Sequence, residues 1–236
     1  MFCLLVFNLC CLLLSSTNSS TSVNNDIKSK YEERTFNSSE IEGLDLMAGS
    51  ADIEIIPSND ELSKIEFTKI SDDTNVKIYI VEKVLKIESG NSTSSCCLFN
   101  HKKSNNHHVY YKIYIPKGIP ISIHTGSSKI NIAEMGDLDI NAGSMHLQAM
   151  NISGIVNLNY ASGEAKVRYT QIPPYPYSIN INTAAGKATF YLPPESKVKI
   201  NAVKPNSVKS DFIHSLKCNF VFNFESASGS LRISKN

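Results

Sequence analysis

From Ile41 onward, apolar and polar residues alternate strictly and repeatedly. Runs of this kind include Asp52-Ile53-Glu54-Ile55, Lys64-Ile65-Glu66-Phe67, Lys77-Ile78-Tyr79-Ile80 and Lys129-Ile130-Asn131-Ile132. Further along come Asn157-Leu158-Asn159, Asn180-Ile181-Asn182, Lys197-Val198-Lys199-Ile200 and Asn219-Phe220-Val221-Phe222. A period of two, carried by β-branched and aromatic residues, is the pattern of strands that bury one face. No stretch of ten or more residues beyond the N-terminal apolar run carries a 3.6-residue period. The pattern predicts an all-β domain over residues 41–236.

The strands share a punctuation. A small-residue turn leading into an alternating strand recurs at Ala48-Gly49-Ser50, Thr125-Gly126-Ser127, Ala142-Gly143-Ser144, Ser162-Gly163-Glu164, Ala185-Gly186-Lys187 and Ser228-Gly229-Ser230. The central glycines are 17, 20 and 23 residues apart, within the range of one solenoid coil. Gaps of 77 residues before Gly126 and 43 before Gly229 leave room for intermediate coils with a degraded motif. A single short strand cannot bury its apolar side alone, but equivalent strands stacked about 4.8 Å apart build a continuous core. About 195 residues at roughly 20 per coil predict a β-solenoid of about 8–10 coils, a rod of roughly 40–45 Å. A β-sandwich also places Gly-Ser turns every 8–12 residues or so. The same turn returning in the same phase favours the solenoid. Its expected inward residues are Ile53, Ile55, Ile130, Ile132, Leu147, Leu158, Val167, Ile181, Phe190, Val198, Leu231 and Ile233.

The beginning of the chain has a different character. Residues 1–14 are almost wholly apolar, too short for the roughly 20 residues a membrane-spanning helix needs but suited to the core of a secretory signal. Residues 1–16 are therefore expected to be a signal peptide, although no Lys or Arg precedes the apolar run. Residues 17–40, rich in Ser, Thr and Asn, are expected to form a flexible lead-in. Export predicts a secreted or cell-surface location, with no transmembrane span in the mature chain. Cleavage would leave Cys96, Cys97 and Cys218 of six cysteines, which is no disulfide framework. One of the adjacent pair could bond Cys218 in an oxidising compartment. Four Asn-x-Ser/Thr sequons, at Asn18, Asn37, Asn91 and Asn151, are what chance gives for 23 Asn and 42 Ser plus Thr, and carry no information.

Charge narrows the partners. Lys and Arg total 23 against 22 Asp and Glu, a net charge of +1. That balance lacks the basic excess of a nucleic-acid binder.

The recurring Ser/Ala-Gly-x turn comes with two punctuated segments. One is Tyr114-Ile115-Pro116-Lys117-Gly118-Ile119-Pro120-Ile121 before Thr125-Gly126-Ser127; the other is Tyr191-Leu192-Pro193-Pro194 before Lys197-Val198-Lys199-Ile200 and then Ser210-Asp211-Phe212. On these residues the chain resembles the "putative adhesin" family of repeated β-strand domains, bacterial and also eukaryotic and formally a domain of unknown function. The resemblance covers residues 41–234. It implies a right-handed, single-stranded parallel β-helix and supplies no catalytic residues. An Asp often follows the Gly in family turns. Here Ser50, Ser127, Ser144, Glu164, Lys187 and Ser230 stand there instead, so a stacked-carboxylate cation site is not implied.

Chemistry-bearing residues are sparse. Cys96, Cys97, His101, His107 and His108 fall within 13 residues and are the candidate ligands should the chain hold zinc or copper. Their spacing fits no finger, Lys102 and Lys103 oppose a cation, and the flanks read as a protruding loop. His124, His146 and His214 stand alone in the pattern and read as exposed strand residues. No Gly-x-Ser-x-Gly elbow, phosphate loop or His-Glu-x-x-His helix is present. The tyrosines at 110, 111, 114, 160, 169, 175, 177 and 191 could line an exposed face or pack at strand edges. No catalytic residue and no cofactor is expected. The sequence predicts a non-enzymatic, adhesin-like module presenting stacked strands to a glycan or protein. The rivals are a polysaccharide-acting enzyme with a groove along the solenoid, and a self-assembling scaffold.

Overall fold

The structure is a computed structural model and describes residues 29–71, 74–91 and 108–236. Its strands are β1 (Lys30–Asn37), β2 (Gly43–Ser58), β3 (Leu62–Lys69), β4 (Thr74–Val81), β5 (Val84–Asn91), β6 (His108–Pro116), β7 (Ile121–Ala133) and β8 (Leu138–Met150). They continue with β9 (Val156–Arg168), β10 (Tyr177–Thr183), β11 (Lys187–Leu192), β12 (Val198–Ala202), β13 (Val208–Ser210), β14 (Phe220–Ser226) and β15 (Ser230–Lys235). All belong to one 15-stranded sheet, mostly parallel. The helical content among the described residues is two single 3-10 turns, Ser38–Glu40 and Pro205–Ser207.

The long strands serve two faces. In β8 the buried positions run Leu138, Ile140, then shift phase across Ala142-Gly143-Ser144 to Met145, Leu147, Ala149. A phase shift at a Gly corner turns the strand while keeping its apolar side inward. Pairings confirm the division: residues 156–160 of β9 run beside β10, and residues 164–168 beside β11. We call the first halves face A and the second halves face B. Between them lies one core. Leu46, Ile123, Ile140, Leu158, Ile181 and Phe224 stack in register from face A. Ile55, Ile132, Ala149, Val167, Phe190 and Ile233 do so from face B. All twelve residues expected to point inward are buried.

Among the described residues, eight rungs follow one another in space: β5–β6, β2, β7, β8, β9, β10–β11, β14–β15 and β12–β13. Each long gap between glycines holds one further rung in sequence, β5–β6 before Gly126 and β12–β13 before Gly229, but in space neither rung lies between the glycines that flank it. β2 lies directly on β7, and β11 directly on β15. The corner glycines explain the arrangement. A Cβ on Gly126 would meet the Gly49 carbonyl oxygen at 2.6 Å, and one on Gly143 the Gly126 oxygen at 2.6 Å. Corners this close admit only glycine. The two rungs whose strands are joined by longer connections in sequence, β5–β6 by residues 92–107 and β12–β13 by Val203–Ser207, sit at the ends of the stack.

One correction concerns the lead-in. Residues 30–37 form β1, paired antiparallel with β3 from Lys30↔Lys69 to Asn37↔Leu62, and residues 38–40 form a 3-10 turn. Phe36 packs against the core, and Glu32 gathers Lys30 at 3.0 Å, Arg34 at 3.3 Å and Lys69 at 3.3 Å. One apolar anchor and a multiply paired carboxylate are enough to hold this polar segment on the edge of a preformed sheet.

Candidate functional site

Outward positions on the β9–β12 part of face A are rich in amides, whereas towards β2 the same row continues as Asp139, Ser122 and Asp45, the last paired with Lys86 at 3.1 Å. Asn157, Asn180, Asn223 and Asn201 stand side by side in register on β9, β10, β14 and β12. Their side chains form a one-way chain: Asn180 donates to Asn157 at 2.7 Å, Asn223 to Asn180 at 2.8 Å, and Asn201 to Asn223 at 2.8 Å. Parallel in-register pairing places identical side chains one strand spacing apart, which suits amide-to-amide hydrogen bonds.

One position nearer the corner runs a second row of His124, Asn141, Asn159 and Asn182. Asn159 donates to Asn141 at 3.2 Å, and Ser122 meets the His124 ring at 3.2 Å. This row forms the floor of an open trough of about 680 Å³, edged by Thr125, Ala142, Ala161, Thr183 and Ala184 at the corners. No Asp, Glu, Lys or Arg lines it. Tyr160 lies beneath, its hydroxyl donating to the Lys187 carbonyl at 2.9 Å. Burial raises the Tyr160 phenol pKa, so the trough rests on a neutral, fixed ring. Such a surface offers paired donors and acceptors, rigidly spaced and without charge. It suits neutral hydroxylated ligands better than ions.

Face B is built from the same strands with opposite chemistry. Its outward rows run Asp52, Lys129, His146, Glu164 and Lys187, then Glu54, Asn131, Gln148, Lys166, Thr189 and Arg232. Towards the N-terminal end a hollow of about 340 Å³ brings together Asp52, Glu54, Glu66, Lys112 and Lys129 beside Tyr31 and Tyr110. The carboxylates there interleave with lysines, and Lys64 pairs with Glu66 at 2.5 Å. Burial pushes the neighbouring Tyr111 phenol up to about 12.

Of the candidate metal ligands, Cys96, Cys97, His101 and His107 lie outside the described residues. His108 opens β6 at the corner. Its Nδ1 meets Ser50 Oγ at 2.9 Å, its Nε2 lies 3.3 Å from Asp52 Oδ1, and its ring stands edge-on to Tyr110 at 4.8 Å. These contacts fasten β6 to β2. Among the described residues no three His, Cys, Asp or Glu side chains come together as a metal site. Cys218 is half-buried and has no disulfide partner among the described residues. His124, His146 and His214 are exposed, His124 at the end of the trough. The tyrosines divide. Tyr111, Tyr160, Tyr169 and Tyr177 are buried, whereas Tyr110 and Tyr175 are exposed. Sequence reading missed the amide rows, although the signal was there: Asp139-Ile140-Asn141, Asn157-Leu158-Asn159 and Asn180-Ile181-Asn182 put Asn in the outward slots of successive strands.

Comparison with known proteins agrees with this architecture. The model of the Toastrack family, DUF4097, matches residues 41–235. A solved "putative cell adhesion protein" from Clostridium sporogenes is 17% identical, with TM-score 0.55, and the match covers 89% of this chain and 100% of that one. A "putative adhesin" from Bacteroides fragilis is 16% identical over 88% and 97% of the two chains, with TM-score 0.40. One from Parabacteroides distasonis is 13% identical over 89% and 98%, with TM-score 0.35. No curated protein matches. No helix among the described residues is long and apolar enough to cross a membrane.

Proposed function

The chain belongs to the Toastrack family, and from that premise we propose that it is an exported, non-enzymatic binding module of adhesin type whose face A trough receives a neutral glycan. The observation that carries the reading is the uncharged row of His124, Asn141, Asn159 and Asn182 on the trough floor. An amide both donates and accepts, as a sugar hydroxyl does, so each rung can serve one ring of an extended oligosaccharide. The strand spacing of about 4.8 Å is comparable with the advance of one sugar ring along such a chain. The adhesion-related description of the Clostridium protein that shares the fold points the same way. The reading includes a signal peptide at residues 1–16, a surface or secreted location, a binding domain over residues 41–236 and right-handed, single-stranded winding of the rungs.

A polysaccharide-cleaving role would need an acid and a base facing one bond. The carboxylates of the face B hollow are instead interleaved with lysines, an ion-pair lattice. A glycan array probed with the full chain, followed by pull-down on the positive glycans, tests the proposal. Binding to neutral oligosaccharides that is lost in Asn159→Leu/Asn182→Leu supports it. Cleavage of the glycan, or binding confined to charged glycans and unchanged in that variant, overturns it.

A further inference from the structure

The net charge of +1 conceals a gradient along the stack. The described residues between 29 and 116, which build the β1–β6 end, carry 12 Asp and Glu against 8 Lys and Arg, a net −4. Residues 193–236, which build the β12–β15 end, carry 7 Lys and Arg against 3 Asp and Glu, a net +4. The middle, residues 117–192, holds 5 against 4. The termini of the rod are therefore opposite in sign.

Exposed apolar side chains are present at both ends, besides those such as Met150 and Tyr175 in the middle of the stack. Tyr31 (58% exposed), Leu62 (57%) and Val81 (43%) stand at the acidic end, beside the exposed acids Glu33, Glu61 and Glu82. Val203 (71%), Ile213 (90%) and Leu216 (87%) stand at the basic end, beside exposed Lys204, Lys209 and Lys217. Ile213 and Leu216 belong to the segment that folds over the last face A strand, where Ser215 N donates to the Val198 carbonyl at 2.9 Å. Among the described residues, β1 pairs only with β3, β4 only with β5 and β13 only with β15, so the stack ends in edge strands at both termini. Apolar contact supplies adhesion, and opposite charge supplies direction and partner choice.

We propose that the acidic end of one copy of this chain docks on the basic end of a second copy, a head-to-tail contact. Both surfaces are present on every molecule and neither occludes the other. The contact is heterologous and repeats, building an open linear array rather than a closed dimer. Face A runs along the side of such an array, so its troughs stay accessible and are multiplied.

Sedimentation velocity of the full chain across a concentration series, at low and at high ionic strength, tests this. The proposal expects species larger than monomer at low ionic strength that dissociate as salt is raised. Charge reversal at one end, Lys209→Glu/Lys217→Glu, or at the other, Glu61→Lys/Glu82→Lys, weakens association about tenfold or more in each variant alone. An equal mixture of the two variants restores it, since each then meets a complementary end. The mixing experiment also separates a lost contact from a lost fold. A wild-type chain that stays monomeric throughout, or variants that do not rescue one another, overturns the proposal. So does binding of the basic end to anionic phospholipid vesicles by a chain that does not self-associate.

Discussion

Faces A and B are made by the same strands, a few residues apart, and yet amides dominate face A from β8 to β12 while Lys, Arg, Asp and Glu dominate face B around Asn131 and Gln148. β9 shows the contrast within one element: Asn157 and Asn159 point out before the corner, Glu164 and Lys166 after it. The core behind both is the same stacked Ile, Leu, Val and Phe. The outward rows are thus free to specialise, because the inward rows and the corner glycines specify the stack. Ion pairs such as Lys166–Glu164 at 3.3 Å, both about 40% or more exposed, contribute little to stability and give solubility. The amide rows are held by side-chain hydrogen bonds, which fixes their donors and acceptors in place.

The largest effect is expected where the two faces meet. Gly143→Ala forces a Cβ to within 2.6 Å of the Gly126 oxygen and should cost about 2–4 kcal/mol in denaturant unfolding. Gly49→Ala, with open space around its Cβ, should change stability by less than about 0.5 kcal/mol. Equal effects at the two corners would mean that the glycine stack does not fix the rung order.

Next comes alkaline pH. Tyr111 has its phenol pushed from 10.0 to about 12 by burial, and burial raises Tyr160 and Tyr169 as well. The unfolded chain releases these protons near its ordinary phenol pKa while the native state retains them. Stability is therefore intact below pH 10 and falls as pH climbs through about 12. Phenolate absorbance of these residues should rise together with loss of the far-ultraviolet β signal. A smooth titration that precedes unfolding would contradict their burial.

Smaller still is the difference between the faces themselves. Asn180→Ala removes its bond to Asn157 and the one it accepts from Asn223, and should cost about 1 kcal/mol independently of salt. Lys166→Ala on face B should cost no more than about 0.5 kcal/mol, less at high salt. Paired denaturation curves at two salt concentrations check both.

Much of this fold was legible in the chain. Alternation marks the strands, and the small-Gly-x corner repeats mark where they bend, because backbone crowding at Gly126, Gly143, Gly163 and Gly229 leaves glycine no substitute there. Rung order was not legible. Period-two alternation says which side of a strand is buried but not which strand lies beside it, so the 77- and 43-residue gaps suggested coils in between. The relevant constraint is a contact between glycines distant in sequence, Gly49 over Gly126 and Gly186 over Gly229. A second corner stack, Gly118, Gly136 and Gly154 at intervals of 18, was missed because Pro116 and Pro120 drew the reading of that segment towards punctuation. The trough was half visible. Its Asn residues were identified as strand positions, but their union into a row depends on register, which only parallel pairing establishes. β1 was hidden by composition, since its hold on the sheet comes from Phe36 and from the cations around Glu32 rather than from any apolar run.

The central claim is that the amide-floored trough of face A is the binding surface. Side-chain amide resonances report on it directly, since Asn141, Asn159 and Asn182 line the trough while Asn131 and Gln148 stand on face B. Titrating a neutral oligosaccharide selected on the glycan array into isotopically labelled protein should shift the first three and leave the other two in place. Shifts confined to Asn131, Gln148 and the face B hollow would contradict the account.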